Sequence, residues 1–369
     1  MKIIHCADLH LDSALSANFT AEQAKERKNE LVMTFIRMVE YADENGVSAI
    51  IIAGDLFDKK VISARVRKTV CEMIVNHPKI SFYYLQGNHD TSSFIDHMKD
   101  IPANLYMFGD SWRSYELYRK GERAVMLTGV ELDENNSNSI YASLVLKPQD
   151  INIVTLHGQI SRYGSSDKAE YIDLSSLKNK NISYLALGHV HEYREGQLPP
   201  GGIYCYPGCL EGRGYDESGT HGFVLIGIDE DEFTMQREFI PFANRGVYVI
   251  NVDVTGCMGP TEMIERIKCE IGGRDLKSDL VKIVLTGDLD IDCEKNLNLI
   301  SQYFDGRFYC HKVSDSTGTL IDPAEYENDM SLKGEFIRLS QKITDMTEED
   351  RMAVIRCGLQ VLRGEAIDV

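Results

Sequence analysis

Ile50-Ile51-Ile52-Ala53-Gly54-Asp55-Leu56-Phe57-Asp58 is the stretch that decides the fold. Residues 48–53 form an apolar run with no polar alternation, as expected of a strand buried on both faces of a parallel sheet. The run stops at a glycine and delivers two carboxylates, Asp55 and Asp58, just beyond the strand's C-terminal end. The same device recurs on both sides. Residues 1–6 make a short apolar strand that ends at Ala7-Asp8-Leu9-His10, and residues 81–85 make another that ends at Gln86-Gly87-Asn88-His89-Asp90. Between them, Leu31, Phe35, Met38 and Ala42 recur at helical spacing over residues 20–45, and Gly46 stops the helix. Residues 62–76 read as a second amphipathic helix. Strand, helix, strand, helix, strand implies parallel strands with right-handed crossovers.

From about Leu105 the pattern changes. Short strands are expected at residues 124–130, 151–156, 183–187, 202–206, 222–228 and 233–239, with few helical signals. A mixed sheet, or two sheets packed face to face with outer helices, accounts for this. Asn244-Arg245-Gly246 is a plausible boundary. Beyond it a β-α-β-α-β unit of small-domain size runs to Val313, and two helices, residues 331–342 and 347–362, follow. The expected division is a catalytic domain over 1–243, an α/β domain over 246–315 and a helical segment over 330–369.

Composition narrows the function classes. Hydrophobic residues make up 43% of the 369, enough for a full core. There is no apolar run long enough to cross a bilayer, and a first strand starting at Lys2 leaves no room for a leader. The nine cysteines are scattered with no CxxC pair, which points to reduced thiols in a cytoplasm. The net charge of −18 argues against gripping nucleic acid by bulk charge, although metal ions or a partner can supply positive charge locally.

Two further motifs follow apolar strands, Leu156-His157-Gly158 and Gly188-His189-Val190-His191. Five of the ten histidines therefore stand at strand ends, where loops of an α/β sheet converge on ligands. Carboxylate, imidazole and amide oxygen suit manganese, iron or zinc. A pair of such cations activates water and neutralises charge on phosphoryl oxygens. Asp55, between two strand ends, is placed to bridge them. The pairs Asp8-x-His10 and His189-x-His191 put alternate residues on one side of an extended segment, giving two ligands per strand end. Each motif alone is weak, and their conjunction carries the reading. His5, His77, His97, His221 and His311 lack such a setting and read as structural or surface residues.

The order Asp-x-His, Gly-Asp-x-x-Asp, Gly-Asn-His-Asp, His and Gly-His-x-His resembles the calcineurin-like metallophosphoesterase superfamily over about residues 1–239. The resemblance implies a four-layer α/β/β/α sandwich with a dimetal centre. Asp8, His10, Asp55 and His191 would hold one metal, and Asp55, Asn88, His157 and His189 the other. His89 would be the catalytic histidine, with Asp58 orienting it, and Asp90 would support the loop. The family precedent points to two divalent ions, Mn2+ first and Fe2+ or Zn2+ as alternatives.

Residues 50–58 and Tyr206-Pro207-Gly208-Cys209 resemble the SbcD-type branch, nuclease subunits of double-strand-break processing complexes. Cys209 departs from the serine usual there, and residues 206–217 look closest to the YhaO-like subgroup. This branch implies DNA as substrate, residues 247–313 as a capping domain, and an SMC-like coiled-coil ATPase as partner for the C-terminal helices, with a homodimer left open. Arg213 is the residue singled out to bind a substrate phosphate. Lys59, Lys60, Arg65, Arg67, Lys68, Arg162 and Lys168 read mainly as a solvated face, and Tyr163 and Tyr215 as candidates for base stacking. Two other readings compete. A small-substrate phosphodiesterase or phosphatase would use the same metals, but Lys59 and Gln86 stand where protein phosphatases carry arginine. A non-catalytic scaffold would have lost ligands that this chain retains.

Overall fold

A computed structural model describes residues 1–15, 19–58, 62–90, 101–133, 136–137, 139–160, 171–290, 293–320 and 323–362. It divides into two compact units, Met1–Tyr248 and Val249–Val369. The first unit begins with β1 (Lys2–Cys6), α1 (Ala21–Glu44), β2 (Ala49–Ala53), α2 (Ala64–Asn76), β3 (Ser81–Leu85) and β4 (Leu105–Met107). It continues with β5 (Arg113–Lys120), β6 (Arg123–Gly129), β7 (Ile151–His157), β8 (Gln159–Ile160), β9 (Tyr171–Ile172), α3 (Leu174–Leu177) and β10 (Tyr184–Gly188). Then come β11 (Arg194–Leu198), β12 (Gly202–Tyr206), β13 (Gly222–Asp229) and β14 (Thr234–Pro241).

Twelve of these strands make two six-stranded sheets, ordered β14-β13-β1-β2-β3-β4 and β11-β12-β10-β7-β6-β5, and β8 pairs with β9 separately. The first is parallel from β1 to β4 with antiparallel β13 and β14 at one edge, and the second has a parallel centre with an antiparallel strand at each edge. Strand alternation gives each sheet two apolar faces. On the inner faces Ile3, Ile51 and Leu85 of one sheet meet Val125, Ile153 and Tyr184 of the other. On the outer faces Ile4, Ile50 and Ile52 pack under Leu31, Phe35 and Val70 of the two long helices. Val154, Leu156 and Leu187 pack under Tyr141, Leu144 and Leu177. The result is the expected α/β/β/α sandwich, with a thin outer layer over the second sheet. Removal from water of a leucine- or phenylalanine-sized side chain is worth about 1.5–3 kcal/mol, so the face of α1 alone anchors that helix firmly.

Local chemistry sets the ends of α1. The Thr20 hydroxyl accepts from Gln23 N (3.3 Å) and the Gln23 side chain accepts from Thr20 N (3.0 Å), a reciprocal capping box. Five strands of this unit fall outside the sequence expectation, the short β4, β8 and β9 and the longer β5 and β11. β5 (RSYELYRK) and β11 (REGQL) lie at sheet edges, where charged side chains face solvent and the apolar signal is weak.

The division between the units falls within β15 (Val247–Asp253). The second unit continues with α4 (Pro260–Ile271), β16 (Leu280–Thr286), β17 (Asp288–Asp290), α5 (Leu297–Tyr303), β18 (Cys310–Asp315), β19 (Gly318–Leu320), α6 (Leu332–Gln341) and α7 (Glu348–Leu362). Its three-stranded sheet β15-β16-β18 packs Val252, Val281 and Ile283 against Met263, Ile267 and Ile300. A separate small cluster, Tyr326, Ile337, Ile355 and Leu359, joins α6 to α7. No helix among the described residues is long and apolar enough to cross a membrane.

Candidate metal centre

The strand ends of β1, β2, β7 and β10 deliver the polar residues of both sheets to one place. Hydrogen bonds between the loops fix the assembly. Asp8 N donates to Gly54 O (3.1 Å) and His10 N to Asp55 O (2.9 Å). Asp90 accepts from Leu56 N, Phe57 N and Gly87 N at 2.9–3.2 Å, so it ties the second motif to the third and is taken up with backbone donors. Asp8 and His10 are not on an extended segment, contrary to the alternation expected. Their φ values are +53° and +43°, and those of Asp55 and His189 are +51° and +101°. Two candidate ligands still emerge per strand end, but from left-handed turns, which cost non-glycine residues about 1–3 kcal/mol each and cluster at functional sites.

Three histidines of the centre, His10, His157 and His191, each set Nδ1 beside a protein oxygen and turn Nε2 inward. His157 Nδ1 is 2.9 Å from Ala53 O, His191 Nδ1 is 2.7 Å from Glu217 Oε1, and His10 Nδ1 is 3.1 Å from Asp58 Oδ1. With Nδ1 as donor, the neutral form of each ring carries its lone pair on Nε2. Those lone pairs face other acceptors. His10 Nε2 lies 3.1 Å from His191 Nε2, and His157 Nε2 lies 3.0 Å from Asn88 Oδ1 and 3.4 Å from Asp55 Oδ2. Asp55 Oδ2 is also 3.7 Å from His10 Nε2, between the two groups. Acceptors crowded on acceptors are unfavourable unless a cation or a proton sits among them, so the donor set fits bound metal. Asp8, His10 and His191 form one candidate ligand group, and Asp8, Asp55 and His157 another.

Asp8 also accepts from His189 N (2.9 and 3.0 Å). The His189 ring stands edge-on to His157 with centroids 5.4 Å apart. His189 and His191 line an open cavity of about 410 Å³ with Glu217 and Ser218. The His89 side chain is 49% exposed beside His10, with Nδ1 3.7 Å from Asp58 Oδ1 and its ring 5.1 Å from that of His10. Its backbone N–H donates to Asp55 Oδ1 (2.9 Å). Asp58 is thus nearer to His10 than to His89.

The charges follow from burial and neighbours. Burial raises the Asp8 carboxyl to about 6, opposed by the charges of His157 and His191. Burial also acts upward on Asp55, but the hydrogen bond and charge of His157 outweigh it and hold the carboxyl well below its usual range. Burial lowers His157, yet Asp55 and Asp8 push it up to about 9. A metal ion would therefore displace a proton when it binds there.

Arg213 is in the site, with its guanidinium engaged by protein carboxylates. Nε and Nη2 donate to Glu217 Oε1 (3.0 and 2.6 Å), and Nη1 donates to Asp58 Oδ1 (3.2 Å). Tyr215 is 7% exposed and offers no face to a base. Arg65, Arg67 and Lys68 are on α2, partly or fully exposed. Lys59, Lys60, Arg162, Tyr163 and Lys168 lie outside the described residues. Glu217, which lines the cavity and contacts His191 and Arg213, is a residue of the site that motif reading missed. Its spacing of four from Arg213 in a glycine-flanked loop was the available signal. His221, read as structural, is buried 3.2 Å from Cys209 Sγ in the same loop.

A two-sheet sandwich with carboxylates and imidazoles at its strand ends defines a metallophosphoesterase. Residues 1–193 match the calcineurin-like phosphoesterase profile, and the chain belongs to that family. It is similar to the uncharacterized metallophosphoesterase YhaO of Bacillus subtilis (strain 168), with 26% identity over 245 residues, covering 64% of this chain and 59% of that protein. It is also similar to two proteins named DNA double-strand break repair protein Mre11. The one from Aeropyrum pernix is 26% identical over 278 residues, covering 69% of this chain and 64% of that protein. The one from Archaeoglobus fulgidus is 24% identical over 332 residues, covering 80% and 70%. The chain thus spans less than two thirds of the length of the first two relatives. Among solved structures, a dimetal phosphatase from Danio rerio superposes with a TM-score of 0.44 at 12% identity, covering 64% of this chain and 95% of that one.

Proposed function

We propose that this chain is a two-metal phosphodiesterase that cleaves DNA. The carrying observation is the set of inward-turned Nε2 atoms of His10, His157 and His191 around Asp8 and Asp55, with Asn88 beside them. Asp8, His10, Asp55 and His191 would hold one divalent ion, and Asp55, Asn88, His157 and His189 the second. Mn2+ is the ion proposed, with Fe2+ or Zn2+ as alternatives. When bound, the ions would polarise phosphoryl oxygens and make water acidic enough to attack near neutral pH.

The protein's own part is orientation and proton transfer. Hydrolysis adds water across one P–O bond, and the departing ester oxygen must take up a proton. His89, half exposed beside His10, is placed to give it, and Asp58 is placed to support the charge on the ring. Asp55 accepts from His89 N, so the bridging carboxylate also sets the position of the third-motif loop.

DNA is favoured as substrate by the names of the Mre11 relatives and by the second unit beyond the sandwich. On this reading residues 1–243 are the nuclease domain and 246–315 a capping domain. Residues 330–369 are the segment that would meet a coiled-coil ATPase, in a cytoplasmic complex acting in DNA repair. The net charge of −18 favours a second reading, a phosphodiesterase or phosphatase of small esters.

Linear duplex DNA and bis(p-nitrophenyl) phosphate, each incubated with Mn2+ and with EDTA, separate the readings. Metal-dependent loss of the DNA, absent from His89→Ala, supports the nuclease. Turnover of the small ester with DNA left intact moves the assignment to the second reading. Stoichiometric metal with no turnover of any ester would point to a scaffold.

A further inference from the structure

Glu217 lies in the loop between β12 and β13, 8% exposed, and neither a metal-ligand motif nor the family pattern singles it out. Its oxygens are fully engaged. Oε1 is 2.7 Å from His191 Nδ1 and accepts from Arg213 Nε (3.0 Å) and Nη2 (2.6 Å), while Oε2 accepts from Arg213 N (2.7 Å). The remaining guanidinium nitrogen, Nη1, reaches Asp58 Oδ1 at 3.2 Å. Asp58 Oδ1 in turn lies 3.1 Å from His10 Nδ1, and Asp58 Oδ2 accepts from the Ser13 hydroxyl at 3.0 Å. One continuous chain of side chains therefore runs behind the centre, from His191 through Glu217, Arg213 and Asp58 to His10.

We propose that Glu217 and Arg213 are positioning residues forming a clamp that fixes the ring orientation and tautomer of His191 and, through Asp58, of His10. The clamp rests on the two-cation reading above and deepens it. A nitrogen 2.7 Å from a carboxylate oxygen must carry a proton, because two acceptors at that distance repel. His191 Nδ1 therefore donates to Glu217, and Nε2 keeps the lone pair that faces His10 and Asp8. Arg213 Nη2 also lies 3.3 Å from His191 Nδ1, but that nitrogen has no lone pair left for it, and both groups converge on the same Glu217 oxygen. Five donors already occupy the Glu217 carboxylate, the fifth being the Cys209 thiol at 3.7 Å from Oε2, so it acts through His191 and is not itself a ligand.

The contrast with His157 shows why a side chain matters here. His157 is oriented by a backbone carbonyl, Ala53 O, which no substitution removes. His191 sits on a loop and depends on a carboxylate supplied by another loop 26 residues on. Outer groups of this kind change metal affinity by about 10–100-fold when removed.

The test is Mn2+ titration of the full chain, followed by electron paramagnetic resonance, for wild type, His191→Ala, Glu217→Leu and Glu217→Gln. Glu217→Leu is expected to weaken one of two Mn2+ ions about 10–100-fold, the same ion that His191→Ala loses. Glu217→Gln keeps an acceptor for Nδ1 and is expected to restore most of that affinity. A folded Glu217→Leu protein with both affinities within threefold of wild type, while His191→Ala loses one ion, overturns the clamp and leaves the two-cation reading standing. Wild type that takes up no Mn2+ overturns both. A second measurement needs no variant. In the Zn2+-loaded, 15N-histidine-labelled protein, His191 is expected to carry its proton on Nδ1. A proton on Nε2 overturns the clamp whether or not the variants fold.

Discussion

Replacing Gly54 by alanine tests whether the second motif is shaped around His157. Gly54 has φ +94°, and a Cβ there would overlap the imidazole, 2.6 Å from Cγ of His157. His157 cannot step aside without leaving Ala53 O, Asn88 and Asp55. Gly46→Ala supplies the control. Gly46 has φ +67° with nothing within 4 Å of a Cβ, so it meets the backbone strain without the clash. Left-handed backbone costs an L-residue about 1–2 kcal/mol. Reduced freedom of the unfolded chain returns about 0.4–1 kcal/mol to either variant. Forcing a methyl into packed groups adds about 1–3 kcal/mol for Gly54 alone. Gly54→Ala should therefore fall below Gly46→Ala by about that last amount in urea unfolding of the metal-free protein. It should also bind less Mn2+, since His157 would be displaced, whereas Gly46→Ala should bind the full complement. Equal loss of stability in the two variants, with metal binding intact in both, would refute the packing argument.

Other outcomes follow from the same geometry. His89→Ala should keep its metal and lose about 10²–10⁴-fold in turnover, because it removes a proton donor and not a ligand. Asp55→Ala should lose metal itself, measured by elemental analysis, since Asp55 stands between both groups. Arg27 is fully buried and pairs with Glu30 and Glu211, and it donates to Gly212 O (2.6 Å). Arg27→Ala strands the Glu211 carboxylate and should cost about 3–5 kcal/mol, read as a lowered denaturation midpoint. A loss below 1 kcal/mol would show that Thr34 and the Asn244 and Arg245 backbone suffice to hold Glu211. His5 joins the two sheets through Tyr184 (2.8 Å), and burial lowers its pKa to about 3 against an opposing hydrogen bond to the Leu187 carbonyl. Its neutral form is favoured in the fold, so its contribution is complete above pH 6.5 and declines as pH falls from there towards 3. The decline is about 1.4 kcal/mol per pH unit. His5→Gln should remove that slope, and parallel unfolding curves for the two proteins from pH 7 to pH 5 would contradict it.

Much of the sandwich was legible because burial leaves a periodic trace in each strand separately. The run 50–53 is apolar throughout, and all five residues of β2 are buried. Leu31, Phe35 and Met38 sit on the buried face of α1 as their spacing implies. Edge strands leave no such trace. β11 reads as REGQL, charged and half exposed, and only its pairing with β12 makes it a strand.

For the candidate site, the motifs alone identified which residues stand at strand ends and what cations such residue types prefer. They did so because hydrogen-bonding and ligand character belong to single side chains and survive in any fold. The sequence alone could not determine which nitrogen of each histidine faces inward, because that depends on acceptors far along the chain. His10 and His191, 181 residues apart, meet at 3.1 Å only when the two sheets pack face to face. The left-handed turns at Asp8, His10 and Asp55 likewise exist because inter-loop hydrogen bonds hold them, where local preference alone would have left the segment extended. Glu217 is one of 57 acidic residues in the chain. Only the tertiary structure, by burying it against His191 and Arg213, gave it a role distinct from the rest.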